Sequence, residues 1–329
     1  MIDKDVKAVS EVLEIPAEKL YMLSNNYKPR KKRRRSKYKN YHTVIIHRGR
    51  GHRNRILSVP NGFLKMAQRR ILERYLYQLD VSEYSTAYCK GKSLIDNAAP
   101  HIKQECVAKL DISHFFDSID GDMVYMIMRK LGLSVPATTL LTNLCIYKGK
   151  LPQGAPTSPY LANLVMKRFD EKLGNWCKKR NITYTRYCDD MTFSGTKESI
   201  RKSNITVHVR NMLDFMGFKL NDKKTVFINS SQQQRITGVV VNDKPQIPRE
   251  LRRDIRQDVY YCKKYGVKEN ILHKGLDISE TEYLQSLLGR ISYALQIDPT
   301  NTSLMLKLEC HLSAHIQALT QYYDFSFKI

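Results

Sequence analysis

The chain has 329 residues, of which 42% are hydrophobic and 26% charged, proportions that are ordinary for a folded protein. Its 55 Lys and Arg residues against 32 Asp and Glu give a formal net charge of +23, which indicates a polyanionic partner such as nucleic acid. The sequence has no run of about 18 uncharged apolar residues and no apolar signal core, so we expect neither a membrane-spanning nor a secreted protein. Seven cysteines stand singly, which predicts free thiols in a reducing compartment.

The N-terminal region divides into two parts. Apolar residues at helical spacing predict short helices up to about residue 27. The segment from Lys28 to Lys39 then carries nine basic residues in twelve and no acid. Such a block is typical of an arm that touches nucleic acid, and the alternative is a solvated tail that keeps the protein soluble.

A β-hairpin is predicted next. Its strands run from Tyr41 to Ile46 and from Arg53 to Val59, with glycines and arginines in the turn between them. The helix after Pro60 is predicted to bury the apolar face formed by Phe63, Ala67, Ile71, Leu72, Tyr75 and Leu79. Further on, Asn97 and His101 have the spacing of one face of a short helical turn. By themselves they would be interpreted as a cap and a surface histidine.

The middle of the chain predicts a strand followed by helices. Apolar residues lead into Asp111 and predict a strand that ends there, and helices are predicted at about 121–131 and 136–147. The segment from Leu151 to Pro159 contains three prolines and Gly154, so it cannot be regular. Ser158 is the predicted N-cap of the next helix. The inner face of that helix is predicted to consist of Leu161, Leu164, Val165, Arg168, Phe169 and Leu173.

Two adjacent carboxylates lie in a second predicted hairpin. β-forming residues run into Asp189 and Asp190 and out again towards Phe193. Taken alone, such a pair is typical of a solvated bend, but a strand carrying Asp111 beside this hairpin would bring a third carboxylate to the same point. Neighbouring carboxylates repel each other unless a cation lies between them. The pattern therefore favours two Mg²⁺ ions, about 3.5–4 Å apart, that clamp an in-line phosphoryl displacement.

After the second hairpin the sequence predicts a helix and a strand pair, and residues 246–329 are predicted to be all-helical. A helix near 197–215 precedes Lys223 and Lys224, and a strand pair follows between Arg235 and Val241. Pro248 then opens a helix with a basic stripe on one face, for which the alternative is an ordinary solvated face. The stripe consists of Arg249, Arg252, Arg253 and Arg256. Ser279 with Glu282 three residues later predicts a capping box for a further helix.

Three of these segments resemble the palm motifs of reverse transcriptases in their order and approximate spacing. They are Asp111 with Phe115 and Phe116, the segment Leu151-Pro152-Gln153-Gly154-Ala155-Pro156-Thr157-Ser158-Pro159, and Tyr187-Cys188-Asp189-Asp190. Two further strings resemble bacterial retron reverse transcriptases. Asn97-Ala98-Ala99-Pro100-His101 is similar to their NAxxH element, and Ile236-Thr237-Gly238 to their VTG element, with Ile in place of Val. Cys188 stands where that family most often has alanine.

The resemblance, which covers roughly residues 40 to 245, implies an α+β, right-hand polymerase fold. Such a fold has an antiparallel palm sheet and a helical C-terminal thumb. The implied division is an N-terminal helical and basic arm at 1–40, fingers at 41–105, a palm at 106–245 with an interleaved fingers segment at about 121–160, and a helical thumb at 246–329.

The resemblance also implies roles for individual residues in RNA-directed DNA synthesis. Asp111, Asp189 and Asp190 would be the catalytic carboxylates and, with the Ile112 carbonyl, would hold two Mg²⁺ ions, with Mn²⁺ as the alternative metal. The implied nucleotide-binding residues are Arg55, Phe116, Gln153, Gly154 and Lys224. Arg48 and Arg50 remain alternatives to Arg55, and Lys223 to Lys224. The implied RNA and primer contacts are Asn97, His101, Thr237, Gly238, Arg249, Arg252, Arg253 and Arg256.

Retron likeness further implies a set of partners. They are dNTPs, a cognate structured noncoding RNA (msr-msd), the branched RNA–DNA product msDNA primed from a 2′-OH of an internal guanosine, and an effector protein of an anti-phage defence system. The expected location is the bacterial cytoplasm, without a membrane. Two alternatives remain open. One is another bacterial reverse transcriptase, such as a group II intron type, and the other is a catalytically idle RNA-binding protein.

Overall fold

The computed structural model of the chain describes residues 3–24, 40–47 and 54–299. The chain divides into one unit formed by residues 1–90 and 108–227 and a second formed by residues 91–107 and 228–329. The basic segment from Lys28 to Lys39, the turn with Arg48 and Arg50, and everything after residue 299 lie outside the described residues.

The described residues form an α+β structure, as the sequence predicts. In chain order the regular elements are α1 (Lys4–Leu13), α2 (Ala17–Ser24), β1 (Tyr41–Ile46), β2 (Arg55–Pro60), α3 (Gly62–Arg74), α4 (Leu94–Ala98), β3 (Cys106–Ser113), α5 (Phe115–Ser118), α6 (Gly121–Met128), α7 (Val135–Cys145), α8 (Ser158–Lys178), β4 (Thr183–Tyr187), β5 (Asp190–Gly195), α9 (Lys197–Lys202), α10 (Ile205–Phe215), β6 (Lys219–Leu220), β7 (Val226–Asn229), β8 (Arg235–Ile236), β9 (Val239–Val240), α11 (Arg249–Tyr265), α12 (Val267–His273) and α13 (Glu280–Ile297).

A five-stranded sheet organises the first unit. Its strand order is β4-β5-β3-β6, and β7 also pairs with β3. The β4–β5 and β3–β6 pairs are antiparallel. In β3 the buried residues include Ala108, Leu110 and Ile112, and such a nearly continuous apolar run is typical of a strand covered on both faces. Asp111 lies within this strand rather than at its end, because β3 continues to Ser113.

Helices of the first unit follow the predicted pattern with local corrections. In α3 the apolar face is shifted from the prediction, because Leu64 is buried whereas Phe63 is 56% exposed beneath the ammonium of Lys19. The predicted helix near 197–215 is two helices, α9 and α10, since Asn204 adopts a left-handed φ of 47° between them. The N-cap of α8 is Thr157 rather than Ser158, and its side chain makes no capping hydrogen bond.

The second unit has an apolar core of its own. The buried residues on α11 to α13 pack with those of β8 and β9. The core includes Ala98, Val107, Ile236, Val239, Val241, Ile247, Ile255, Ile271, Tyr283, Leu287, Ile291, Ala294 and Ile297. The capping box is present, because the Ser279 hydroxyl accepts from the Glu282 amide while the Glu282 carboxylate accepts from the Ser279 amide. The helical prediction for this region is confirmed as far as residue 297.

Two further observations bear on the chain as a whole. Throughout the part that the structure describes, no helix combines the length and the apolar character needed to cross a membrane. The six cysteines in that part are free thiols.

Candidate active site

The two adjacent aspartates lie at the tip of the β4–β5 hairpin. Tyr187 pairs with Asp190, which leaves Cys188 and Asp189 as a two-residue turn and confirms the predicted hairpin. Cys188 has a φ of 61°, in the left-handed region that residues with a Cβ seldom adopt. The tight turn thus accommodates cysteine in place of the alanine that is common in the family the sequence resembles.

Asp111 lies on the neighbouring strand, and backbone hydrogen bonding joins it to the hairpin. The Ile112 amide donates to the Asp189 carbonyl at 3.1 Å, so the Asp111 backbone lies directly beside the turn. Asp111 is only 4% exposed, and its carboxylate accepts from Lys224 Nζ at 2.6 Å and from Asn221 Nδ2 at 2.9 Å. A buried carboxylate needs such charge-assisted partners to offset its lost hydration.

The carboxylates influence one another electrostatically. The pKa of Asp190 is raised to about 6, first because the surrounding protein desolvates the carboxyl and then because Asp189 and Asp111 carry like charges. Lys109 and Lys224 act in the opposite direction. The hydrogen bond to Asp111 raises the pKa of Lys224, which holds its ammonium in the charged form. The site therefore concentrates negative charge that its own lysines balance only in part.

The donor set suits a hard divalent cation, although its side chains are not arranged around one. Within the described ranges, no three His, Cys, Asp or Glu side chains are grouped closely enough to hold a metal ion. Asp111 instead contacts Lys224 and Asn221. The carboxylate oxygens of Asp111, Asp189 and Asp190 are nevertheless the ligand type that Mg²⁺ takes, and their mutual repulsion is the kind that a bound cation relieves. The chemistry of these residues fits a Mg²⁺ site.

A fully buried ion pair stabilises the turn between β4 and β5. Arg186 and Asp170 are both 0% exposed, and the guanidinium donates to the two carboxylate oxygens at 2.8 and 2.6 Å. Arg186 Nη1 also donates to the Cys188 carbonyl at 2.8 Å and to Asn163 Oδ1 at 3.1 Å, and Tyr184 donates its hydroxyl to Asp170 at 2.8 Å. The network ties the backbone of the strained residue Cys188 to helix α8.

Sequence reasoning missed this network. It placed Arg168 on the inner face of α8, but Arg168 is exposed, and Asp170 faces the core instead. The available signal was a lone arginine inside the apolar, β-forming run that leads to the turn. A charge at such a position requires a buried partner, but nothing in the local pattern identifies a residue on another element as that partner.

The residues predicted to bind the nucleotide form a second group in the same unit. Arg55 Nε donates to Gln153 Oε1 at 3.1 Å, and the Ser58 amide donates to the Gln153 carbonyl at 2.7 Å. Gly154 has a φ of 114°, and a Cβ on it would lie 3.1 Å from the Ser58 carbonyl oxygen. The proline-rich loop therefore lies against β2, and only glycine suits that position. The structure brings Arg55, Gln153 and Gly154 together.

The other two predicted nucleotide-binding residues lie near β3 and β6. Phe116 is 7% exposed on α5, three residues after the end of β3, and its ring centroid is 5.4 Å from that of Phe115. Lys224 reaches Asp111 directly, which distinguishes it from Lys223, for which the structure shows no such contact.

The predicted RNA contacts lie in the second unit. Asn97 Nδ2 donates to Thr237 Oγ1 at 3.3 Å, so the two elements that resemble NAxxH and VTG touch each other. Thr237 has a φ of 45°, and the Tyr293 hydroxyl lies 2.7 Å from the place of a Cβ on Gly238. Asn97 is 1% and His101 0% exposed, so the interpretation of His101 as a surface histidine is wrong. Burial lowers the pKa of His101 to about 3.

The basic stripe on α11 forms an open surface. Arg249, Arg253 and Arg256 are exposed, whereas Arg252 is partly buried and donates to Gln246 at 2.9 Å. The four arginines and Glu250 line a shallow cavity of about 400 Å³. This concentration of positive charge suits phosphate groups.

Comparison with known proteins identifies the class to which this fold and site belong. The family model for reverse transcriptase (RNA-dependent DNA polymerase) matches residues 48–241, more than half of the chain. The chain therefore belongs to the reverse transcriptase family, and its sheet and surrounding helices are those of a right-hand polymerase. Reverse transcriptases are RNA-directed DNA polymerases that use divalent metal ions.

Within that family the protein is a retron-type reverse transcriptase. The retron Ec86 reverse transcriptase of Escherichia coli is 32% identical over 235 residues, which cover 69% of this chain and 72% of that protein. The retron Ec83 reverse transcriptase of Escherichia coli is 31% identical over 259 residues, which cover 74% of this chain and 79% of that protein. A telomerase from Candida albicans matches with a TM-score of 0.48 at 11% identity, covering 84% of this chain and 56% of that one, a likeness too distant to add to the assignment.

Proposed function

We propose that this reverse transcriptase copies a cognate structured noncoding RNA (msr-msd) into msDNA, a branched RNA–DNA. Synthesis would be primed from a 2′-OH of an internal guanosine, within a bacterial cytoplasmic anti-phage system that includes an effector protein. The observation that carries the proposal is the placement of Asp111 beside the Asp189–Asp190 turn, with Lys224 on the Asp111 carboxylate. Similarity to enzymes named as retron reverse transcriptases supports the choice of RNA.

The catalytic carboxylates in this proposal are Asp111, Asp189 and Asp190. Together with the Ile112 carbonyl they would hold Mg²⁺, two ions per site, with Mn²⁺ as a possible substitute. The ions would supply charge neutralisation at the attacking and leaving oxygens of the phosphoryl transfer. The protein residues position the primer end and the triphosphate, and such positioning accounts for a large part of catalysis in reactions of this class.

Residues outside the carboxylate cluster bind and orient the nucleotide. Arg55, held by Gln153, offers a guanidinium to the triphosphate, and Gly154 lets the loop backbone approach closely. Lys224 already carries its proton beside Asp111, so it is placed to neutralise or protonate the leaving pyrophosphate. Phe116 would exclude a ribose 2′-OH by its bulk.

Phe116→Val is expected to admit ribonucleotides. A smaller side chain at this position removes the obstacle to the 2′-OH, and a change of pocket size of this order alters discrimination by roughly 10- to 200-fold. The measurement is the ratio of kcat/KM for dNTP and rNTP in single-nucleotide primer extension.

Phe115→Val is the matched control for that experiment. Phe115 is equally buried, and it packs against Phe116 and Phe218 with ring centroids 5.4 and 5.9 Å apart. It should lose a similar amount of stability while keeping the sugar preference of the wild type. If Phe116→Val keeps the wild-type preference for dNTP over rNTP, or if both variants lose it equally, Phe116 does not exclude the ribose 2′-OH.

RNA binding is assigned to the remaining predicted residues. The exposed arginines of the stripe, Arg249, Arg253 and Arg256, would lie along a nucleic acid backbone, with Arg252 held by Gln246 behind them. Thr237 and Gly238 would present the turn between β8 and β9 to the primer or the RNA. Asn97 and His101 are buried, so we assign them to holding that turn in place rather than to direct contact.

The regions of the hand are assigned as the sequence predicts. Residues 1–40 would be an N-terminal arm, 41–105 the fingers, 106–245 the palm with an interleaved fingers segment at about 121–160, and 246–329 the thumb.

The test of the msDNA proposal is the nucleic acid that co-purifies when the gene is expressed with its neighbouring noncoding DNA. The wild type should yield DNA covalently attached to RNA encoded beside the gene, through a 2′ linkage that debranching enzyme cleaves. The Asp189→Asn variant should yield the same RNA without DNA. Unrelated RNA, or DNA with an unbranched 5′ end, would contradict the proposal.

A further inference from the structure

A buried segment before α4 is tied firmly to the hairpin that carries the catalytic aspartates. Ser82, Ser85, Thr86 and Ala87 are all no more than 4% exposed. The Arg186 amide donates to the Tyr84 carbonyl at 2.8 Å, and both the amide and the hydroxyl of Thr86 donate to the Arg186 carbonyl at 2.9 and 3.0 Å. The segment thus runs beside β4 as an additional edge.

Ala87, the last residue of this buried segment, accepts a hydrogen bond from helix α8. Asn163 Nδ2 donates to the Ala87 carbonyl at 2.7 Å, and Asn163 is itself a partner of the buried Arg186. The backbone on the N-terminal side of Tyr88 is therefore fixed by the same network that fixes the turn at Cys188. The backbone before Tyr88 and the turn at Cys188 are thus held in fixed positions by the same hydrogen bonds.

Tyr88 departs from this buried path in two respects. Its φ is 57°, a left-handed value that is uncommon for a bulky side chain, and its side chain is 54% exposed although its neighbour Ala87 is fully buried. Backbone strain of this kind persists only where the surrounding structure enforces it, and it clusters at functional sites. Here the strain turns an aromatic ring out of the core.

The ring lies near the turn that carries Asp189. Its centroid is 6.5 Å from that of Tyr187, which immediately precedes the turn. Burial raises the pKa of Tyr88 to about 12, and Cys188, Asp189 and Arg55 are all close enough to contribute to its electrostatic surroundings. The phenol is therefore neutral, and both the arginine of the proposed triphosphate site and a proposed catalytic aspartate contribute to its electrostatic surroundings.

We propose that Tyr88 is a binding residue for the nascent base pair, against which its ring packs during nucleotide addition. A flat, neutral and half-exposed ring beside charged groups suits a nucleobase, because every base presents a π-face to an aromatic side chain. The proposal rests on the active site proposed above at Asp111, Asp189 and Asp190. It concerns the ring rather than the hydroxyl.

The test compares Tyr88→Ala, Tyr88→Gly and Tyr88→Phe in single-nucleotide extension on a generic RNA template with a DNA primer. The alanine and glycine variants should raise the KM for dNTP by about 5- to 100-fold, while Tyr88→Phe stays within about twofold of wild type. Glycine relieves the left-handed backbone and alanine does not, so an equal loss in both assigns the effect to the ring. The Kd for template–primer should be unchanged in all three variants.

Controls distinguish failure of this proposal from failure of the site. Phe215→Ala, which removes a 91% exposed ring from α10, should leave the KM for dNTP unaltered. If Tyr88→Ala keeps its KM while Asp189→Asn is inactive, the site stands and the assignment of Tyr88 is wrong. The assignment would also be wrong if Tyr88→Phe raised the KM for dNTP as much as Tyr88→Ala does. It would be wrong as well if the variants changed only the Kd for template–primer. An active Asp189→Asn would instead refute the proposed site.

Discussion

Asp189→Asn is expected to abolish primer extension while leaving RNA affinity nearly intact. The substitution keeps the size of the side chain but removes one of the three carboxylate charges that would hold Mg²⁺. Loss of several kcal/mol of transition-state stabilisation corresponds to a fall in rate of roughly 10³-fold or more. Because the proposed RNA contacts lie on other residues, binding should persist. The measurements are Mg²⁺-dependent extension on a generic RNA template and an RNA-binding titration.

Glu198→Gln is the matched control for this substitution. Glu198 lies on α9 of the same unit with its side chain 68% exposed, and it pairs with Lys202, one helical turn away. The same exchange of carboxylate for amide should leave extension unchanged there. An Asp189→Asn enzyme that still polymerises would show that the metal site is elsewhere. Absence of extension by the wild type as well would favour an idle RNA-binding protein.

Asp170→Asn is expected to destabilise the first unit by about 3–5 kcal/mol and to impair extension with it. The variant leaves the Arg186 guanidinium buried without a counter-charge, and Arg186 also donates to the Cys188 carbonyl in the turn between β4 and β5. An uncompensated buried charge is far more costly than a lost surface pair. The measurement is the free energy of unfolding from urea denaturation, accompanied by the extension rate below the transition.

The surface pair of Glu198 and Lys202 provides the comparison here too. Its two side chains are 68% and 69% exposed, so Glu198→Gln should change the free energy of unfolding by no more than about 0.5 kcal/mol. If Asp170→Asn were equally mild, the buried pair would not be supporting the turn. A variant that unfolds more readily yet extends at the wild-type rate when folded would restrict the pair to a role in stability.

Local sequence patterns were sufficient to locate the hairpin that carries Asp189 and Asp190. The β-formers on either side of Asp189 and Asp190 predicted β4 and β5, because strand preference and a two-residue turn depend on neighbouring residues. The capping box at Ser279 was predicted for the same reason, since both of its partners lie within one helical turn. Errors occurred at boundaries, as at Thr157 and Asn204, where local signals compete.

Long-range contacts decided the rest of the site. Nothing near Arg186 in the sequence indicates that Asp170 is its partner, and nothing near Asn97 points to Thr237, 140 positions away. Tyr88 likewise carries no motif that would distinguish it from other tyrosines, and its position follows from hydrogen bonds to β4 and α8. Such pairings form only when distant strands and helices pack together.

By itself, therefore, the sequence determined the family, the order of the elements and the identity of the three aspartates. These depend on motif, periodicity and composition along the chain. Only the tertiary structure determined which buried polar groups are paired and which side chains lie beside the three aspartates. The physical reason is that burial and pairing are properties of contacts between elements, which local residue preference does not specify.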